Sequence, residues 1–373
     1  MRSFRGGDEF EIQDYYPAMP TLIEHLIKLT DHRDRNLLEL TLSKALINLL
    51  PIERVVMAKV LSEDGVRRWL EIASLDARGG GKVVDPLRVD FQALRVLEDN
   101  KDRLHCLQSR SQVEVAWAGE DGPRITYLPL FNDARNDDEG VVEVHSGSPL
   151  THEQVLTIGA MLHVFRNMYN LLAYSDRDAL TGLLNRKSLD DTFYSAVLEE
   201  LEEGDAARSQ ALAAPVEPGK ERRHRVPPNY WLGTVRVDNF DAISDKYGHL
   251  LGEEVLLLVA RIMSNTFRTY DRIYHFTADQ FAVLMHCPDE ALVLAAFERF
   301  RGNMEKFNFP QVGRVTASAG FTRISADDSP ESALMRVNRV VSHVQTHHGH
   351  NKVFSYGELV RKGVFDTSTE SGA

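Results

Sequence analysis

Asp178-Ala179-Leu180-Thr181-Gly182-Leu183-Leu184-Asn185-Arg186 opens a segment whose later landmarks decide the fold. The apolar run 232–237 reads as a buried central strand and leads at once into Asp238-Asn239-Phe240. Next come Lys246-Tyr247-Gly248-His249-Leu250-Leu251-Gly252-Glu253-Glu254 and a helix. Arg268-Thr269-Tyr270-Asp271 follows, then a five-residue spacer and Thr277-Ala278-Asp279-Gln280-Phe281. The apolar stretches 273–276 and 281–286 predict a β-hairpin across that last motif. Residues 175–356 are thus expected to form an α/β domain, a sheet with helices on both faces.

This order and spacing resembles the GGDEF family, the diguanylate cyclases that condense two GTP into cyclic di-GMP. The resemblance covers roughly half the chain, with several short motifs in register. Phosphoryl transfer needs metal ions held by carboxylates and cations on the phosphates, because spreading charge must be stabilised. In the family the first acidic residue of the D-x-D-x-F strand end holds the metal; here that position is Arg236. The signature hairpin carries two glycines, which let backbone approach phosphate closely. Thr277 and Ala278 replace them, Gln280 replaces the acidic fourth position, and only Asp279 keeps a charge. The family's guanine-reading Asn and Asp are Ser244 and Glu253. Its Lys-x-x-Gly-Arg-Asn reads Thr346-His347-His348-Gly349-His350-Asn351, without the phosphate cations. The resemblance therefore implies a degenerate cyclase with no catalytic residue, no metal and no cofactor. A weak residual cyclase using Glu253 and Asp279 is the alternative that Arg236 opposes.

Arg268-x-x-Asp271 stands where the family places its product-inhibition site, and Arg299 falls at the place of the second arginine of that site. A guanidinium can fork onto guanine O6 and N7, and a carboxylate can accept from guanine N1–H and N2–H. Two residues i and i+3 at a helix end share a face and could grip one ligand, or form only an exposed ion pair. The resemblance implies a catalytically inactive receptor for cyclic di-GMP. A scaffold that keeps the fold for protein contacts alone is the rival. Gly6-Gly7-Asp8-Glu9-Phe10 spells the signature at the N-terminus, but without a preceding strand it is a chance match.

Ahead of this domain, 22–50 has helical apolar spacing and stops at Pro51. Strands are expected at 54–61, 69–75, 83–89, 113–118, 125–130 and 141–144, with a short helix at 91–98. A helix, a roughly six-stranded sheet and a closing helix resemble a GAF domain, with a PAS domain as the alternative. The helix 151–173 carries Val155, Ile158, Leu162, Phe165, Tyr169 and Leu172 three and four apart. That stripe is either the seam of a parallel homodimer or the face laid on the helix's own sheet. The domain plan is a disordered 1–16, a GAF-like sensory domain at 17–150 and a linker helix at 151–177. A degenerate GGDEF domain at 178–360, with an insertion loop at about 200–228, and a tail at 361–373 complete it.

The net charge of −12 argues against nucleic-acid or anionic-membrane binding, while Arg268, Arg272 and Arg299 leave a local basic patch for an anionic ligand. Two cysteines and the lack of a long apolar run point to a cytoplasmic protein with no membrane span. His343, His347, His348 and His350 lack a Cys or carboxylate at ligand spacing, so no metal is assigned to them. A homodimer and a downstream protein partner complete the expectation.

Overall fold

Pro51 stops one helix and delivers the chain to a long strand, because proline cannot donate the N–H that a continuing helix requires. The structure, a computed structural model, describes residues 21–31, 35–63, 65–116, 123–131, 139–198 and 229–366. The expectations for 1–16, for Gly6-Gly7-Asp8-Glu9-Phe10, for the insertion loop at 200–228 and for the end of the tail lie outside the described residues. The chain divides into two units. The first is built from residues up to Leu61, Arg67–Asp85 and Phe91–Tyr174, the second from Ser62–Val66, Pro86–Asp90 and residues from Ser175 onward.

In the first unit, helices α1 (Thr21–Asp31) and α2 (Arg35–Leu49) occupy the described part of the stretch 22–50, whose spacing is helical. The sheet comprises β1 (Ile52–Glu63), β2 (Val66–Asp76), β3 (Gly81–Val83), β4 (Arg95–Val96), β5 (Val113–Ala116), β6 (Arg124–Phe131) and β7 (Glu139–Ser146). Its order is β3-β2-β1-β7-β6-β5 with β4 paired to β2, seven strands where about six were expected. The strand expected at 83–89 ends at Val83, because Pro86 has no N–H for a ladder and opens a 3-10 turn, Pro86–Arg88. The helix expected at 91–98 is two 3-10 turns around β4. The α-helix of this region is α3 (Lys101–Ser109), started by Asn100, whose side chain accepts from Arg103 N–H at 2.9 Å.

Helix α4 (His152–Ser175) settles the choice over its apolar stripe: Ile158, Leu162, Phe165 and Tyr169 are buried within the protomer. Tyr169 also accepts a 2.8 Å hydrogen bond from Lys59 of β1, which pairs with Glu39 of α2 at 3.1 Å. The stripe is the helix's docking face on its own unit, not a free seam.

The second unit bears out the α/β expectation. A helix at 186–198, here α5, precedes β8 (Tyr230–Val237), α6 (Phe240–Tyr247) and α7 (His249–Thr266). Strands β9 (Arg272–Thr277) and β10 (Gln280–His286) form the expected hairpin. Then come α8 (Glu290–Lys306), the small ribbon β11 (Asn308–Phe309) and β12 (Gly313–Arg314), β13 (Ala317–Arg323), α9 (Pro330–His343), β14 (Val353–Ser355) and α10 (Tyr356–Arg361). The main sheet runs β14-β13-β8-β10-β9, so β8 is central. Trp231, Val235 and Val237 face one apolar layer with Val259, Met263, Phe297 and Phe300 of α7 and α8. Tyr230 and Leu232 face the other, with Leu189 and Phe193 of α5 and Val337 of α9. Burial of both faces explains why β8 reads as a nearly continuous apolar run. Among the described residues no helix is long and apolar enough to cross a membrane.

Phe297 reaches the middle of β8 only because Gly233 leaves room; a Cβ there would sit 2.2 Å from Phe297 Cζ. The same ring stacks on Phe321 at 5.6 Å. Gly233→Ala is expected to lower unfolding free energy by about 1–3 kcal/mol through overpacking, measured by urea titration. Adding Phe297→Leu should recover part of that loss. A double variant no more stable than Gly233→Ala would show that the ring is not what the methyl meets.

Candidate functional site

Strand β8 ends in Arg236 and Val237, and the chain then turns at Asp238. In the ladders Arg236 lies opposite Gln280 of β10 on one side and Ser318 of β13 on the other. Its Nε is 3.6 Å from Asp279 Oδ2, and its Nη1 donates to Gln345 Oε1 at 3.5 Å. Asp238 is only 3% exposed. Its Oδ1 accepts from Ser318 Oγ at 2.7 Å and Gln345 Nε2 at 3.5 Å, with His350 Nδ1 3.2 Å away. Its Oδ2 accepts from Thr316 Oγ1 at 2.8 Å and from Asn351 N–H at 2.9 Å. A buried carboxylate needs such donors to offset its lost hydration. Sequence reasoning quoted Asp238 as a landmark and assigned it no role. Its partners stand 78 to 113 positions away, and no local pattern announces them.

The hairpin turn places Thr277 and Ala278 in solvent and Asp279 half-buried. None of 277–280 adopts a left-handed backbone, so the turn closes without glycine. Gln280 is buried, and its amide donates to Asn338 Oδ1 of α9 at 2.6 Å, which ties the turn to that helix. Ser244 lies against Gly252, whose added Cβ would meet Ser244 Oγ at 2.8 Å, while Glu253 on α7 is exposed. The segment Val344–His348 is a π-helical turn, and Gly349, His350 and Asn351 all take positive φ, swinging Asn351 N–H onto Asp238. Earlier in the chain, Asp178 pairs with His275 of β9 at 2.8 Å and accepts from Thr181 N–H and Oγ1. Burial pushes the Asp178 carboxyl up, but the bonds from Thr181 and His275 hold it below the usual value.

The resemblance brings a divalent cation to this place, and the residues present do not fit one. Asp279, the acidic side chain left in the turn, faces a guanidinium, and both oxygens of Asp238 are taken by protein donors. Among the described residues no cluster of three His, Cys, Asp or Glu could hold a metal ion.

At the other end of α7 the chain leaves the helix before Arg268, so Arg268 and Asp271 sit in a turn and not on the helix face expected for them. The turn is closed reciprocally: Arg268 N–H donates to Asp271 Oδ2 at 2.9 Å, and Asp271 N–H donates to Arg268 O at 3.0 Å. Burial pushes the Asp271 carboxyl up to about 6, against the pull of the Arg268 N–H bond and of the Arg268 and Arg299 charges. The Arg268 guanidinium is half-exposed, lies 5.7 Å over the Tyr270 ring, and pairs with Glu63 at 3.1 Å. Glu63 belongs to the Ser62–Val66 segment of the same unit. Arg299 of α8 donates from Nη2 to Thr266 O at 2.7 Å, capping the last turn of α7. The structure thus gathers Arg268, Asp271 and Arg299 around the end of α7. It keeps them apart from Arg236, Gln280 and Asp279, which surround the end of β8.

Residues 220–351 match the family described as diguanylate cyclase, GGDEF domain. Diguanylate cyclase DgcP of Pseudomonas aeruginosa is 24% identical over 323 residues, covering 78% of this chain and 47% of that protein. Diguanylate cyclase DgcM of Escherichia coli is 26% identical over 178 residues, covering 48% of this chain and 38% of that protein. The chain spans less than half the length of either relative. Among solved structures, the GGDEF domain of DgcB from Caulobacter crescentus in complex with c-di-GMP is 21% identical. It covers 49% of this chain and 93% of its own, with a TM-score of 0.40. Diguanylate cyclase SiaD of Pseudomonas aeruginosa in complex with its activator SiaC is 24% identical over 54% of this chain and 71% of its own, with a TM-score of 0.41. The stretch that matches the family, residues 220–351, holds β8, the β9–β10 hairpin and the 344–351 segment described above.

Proposed function

We propose that this chain is a catalytically inactive receptor for cyclic di-GMP in bacterial second-messenger signalling, binding its ligand at Arg268, Asp271 and Arg299. The observation that carries the loss of catalysis is Arg236. A fixed cation stands at the family's metal position and pairs with Asp279, the carboxylate that remains in the turn. A guanidinium repels Mg²⁺ and offers no acceptor to it. Ser244 and Glu253 at the base-reading positions, and Thr346 and His350 at the phosphate positions, support the same reading. Recognition without chemistry remains open to the other end of α7. There Asp271 Oδ1 makes no hydrogen bond among the described residues, and the Arg268 guanidinium is half-exposed.

The wider reading is a GAF-like sensory unit at 17–150, joined through the helix at 151–177 to the degenerate GGDEF domain at 178–360, in a cytoplasmic homodimer that answers to a downstream protein partner. Leu156, Leu171 and Tyr174, all exposed on α4, support a homodimer through the outer face of that helix. One observation favours the scaffold reading instead. Asp271 braces the Arg268 backbone and Arg299 caps α7, and both roles are complete without a ligand.

Purified protein with GTP and Mg²⁺ or Mn²⁺ is expected to form no cyclic di-GMP by chromatography. The double variant Thr277→Gly, Ala278→Gly should remain inactive, because Arg236 stays in place. Product from the wild type would sink the inactive reading.

In calorimetry with cyclic di-GMP, Arg268→Ala should weaken binding by about 1–3 kcal/mol, the range for a lost bidentate guanine contact. Asp271→Ala should cost a similar amount, and Arg268→Lys nearly as much, since an ammonium cannot fork. Arg299→Ala should cost less. Unchanged affinity in both Arg268→Ala and Asp271→Ala would leave the scaffold reading in place.

Because burial raises the Asp271 carboxyl to about 6, protonation should remove its acceptor from guanine in mildly acidic solution. Affinity should be flat above pH 7 and fall as pH drops through about 6, by about tenfold per unit below it. Asp271→Asn should flatten that profile. A wild-type profile that is level from pH 5 to 8 would remove Asp271 from the contact.

A further inference from the structure

Away from the GGDEF domain, the first unit holds a cavity of about 240 Å³ on one face of its sheet. Its floor follows from strand register: Arg54 lies opposite His145, and His145 opposite Ile125, while Val56, Glu143 and Tyr127 form the next row. The period of two along each strand puts both rows on the same face. Trp69 and Glu71 of β2 line one side, and Asp99 of the 3-10 turn before α3 and Arg103 of α3 line another.

The charges of this cavity are not matched pair by pair. Arg103, 5% exposed, donates from Nε to Glu143 at 2.6 Å and from Nη2 to Glu71 at 3.1 Å, and it lies 5.2 Å over the Trp69 ring. One cation therefore answers two carboxylates. Although burial pushes the Glu143 carboxyl up, its bonds to His145 and Arg103 hold it below the ordinary range, so it stays ionised. At the mouth, Arg54 bonds only to Ser74 Oγ, and Arg95 and Asp99 form no ion pair among the described residues. Arginines 54, 95 and 103 balance acidic residues 71, 99 and 143, so the lining has no net charge yet presents both signs to its interior.

We propose that this cavity binds a free α-amino acid. A net-neutral site with separated signs prefers a net-neutral ligand that carries both, since a simple anion or cation would meet one set of charges and repel the other. The ligand's carboxylate takes the forked guanidiniums of Arg54 and Arg95. Its ammonium takes Glu71 and Asp99, whose carboxylates lack a full share of cation. Its side chain lies against Trp69 and Ile125. The volume suits one amino acid and is below the range of drug-sized pockets, which excludes a dinucleotide. This site is separate from Arg268 and does not rest on the cyclic di-GMP reading.

The test is calorimetry on the full chain with each of the twenty amino acids, repeated for the best binder with its des-amino acid and its decarboxylated amine. At least one amino acid is expected to bind, and each fragment should bind at least tenfold more weakly. Arg54→Ala and Arg95→Ala, both at exposed positions, should each weaken it at least tenfold with an unchanged unfolding midpoint. Should either variant unfold, Glu71→Gln provides the same readout. The inference is overturned if no amino acid gives heat or shifts the midpoint. It is also overturned if the des-amino acid or inorganic phosphate binds as tightly, or if all three variants bind as the wild type does.

Discussion

The buried carboxylate of Asp238 is the constraint around which the second unit is arranged. An ionised group taken out of water is stable only when donors surround it, and the penalty for leaving it bare is several kcal/mol. Those donors come from distant parts of the chain. Thr316 immediately precedes β13 and Ser318 lies in it, Gln345 belongs to the turn after α9, and Asn351 to the left-handed run before β14. Asp238 thereby fixes the end of the central strand, the entry of its neighbour and the course of the 344–351 segment at once. In doing so it brings Gln345 to Arg236.

Around that knot, the polar side chains are held by contacts within the protein. Gln280 locks the hairpin to α9 through Asn338, and Arg236 engages Asp279 and Gln345. An arginine at a strand end with a carboxylate beside it gains from the opposite charge. The two ends of α7 therefore differ in character. One leads from a closed set of internal bonds near β8, and the other leads to a half-exposed guanidinium beside a raised carboxyl.

The parts of this fold that were legible in the sequence are those whose signal is local. Strand β8 is a continuous apolar run because both of its faces are covered, and the β9–β10 hairpin is two apolar runs around a polar turn. Helix α3 was missed because its sequence, Lys-Asp-Arg-Leu-His-Cys-Leu-Gln-Ser, buries only Arg103, Cys106 and Leu107 and so lacks a broad apolar stripe. The strand expected at 83–89 is not formed beyond Val83, because Pro86 offers no N–H to a ladder. The stripe on α4 could not be assigned from spacing, because an intermolecular seam and a face laid on one's own sheet share the same period. Of the candidate site, the residue types were legible from motif register. The Asp238 donors and the Gln280–Asn338 bond were not, since each joins positions separated by dozens of residues.

The turn that closes β9 and β10 without a left-handed residue has a thermodynamic consequence. Side chains at φ values they tolerate restrict the unfolded ensemble, and each one standing in place of glycine is worth about 0.4–1 kcal/mol of folding free energy. Thr277 and Ala278, at φ values they tolerate, therefore add to the stability of the hairpin. Replacing the two with glycine would forfeit that gain.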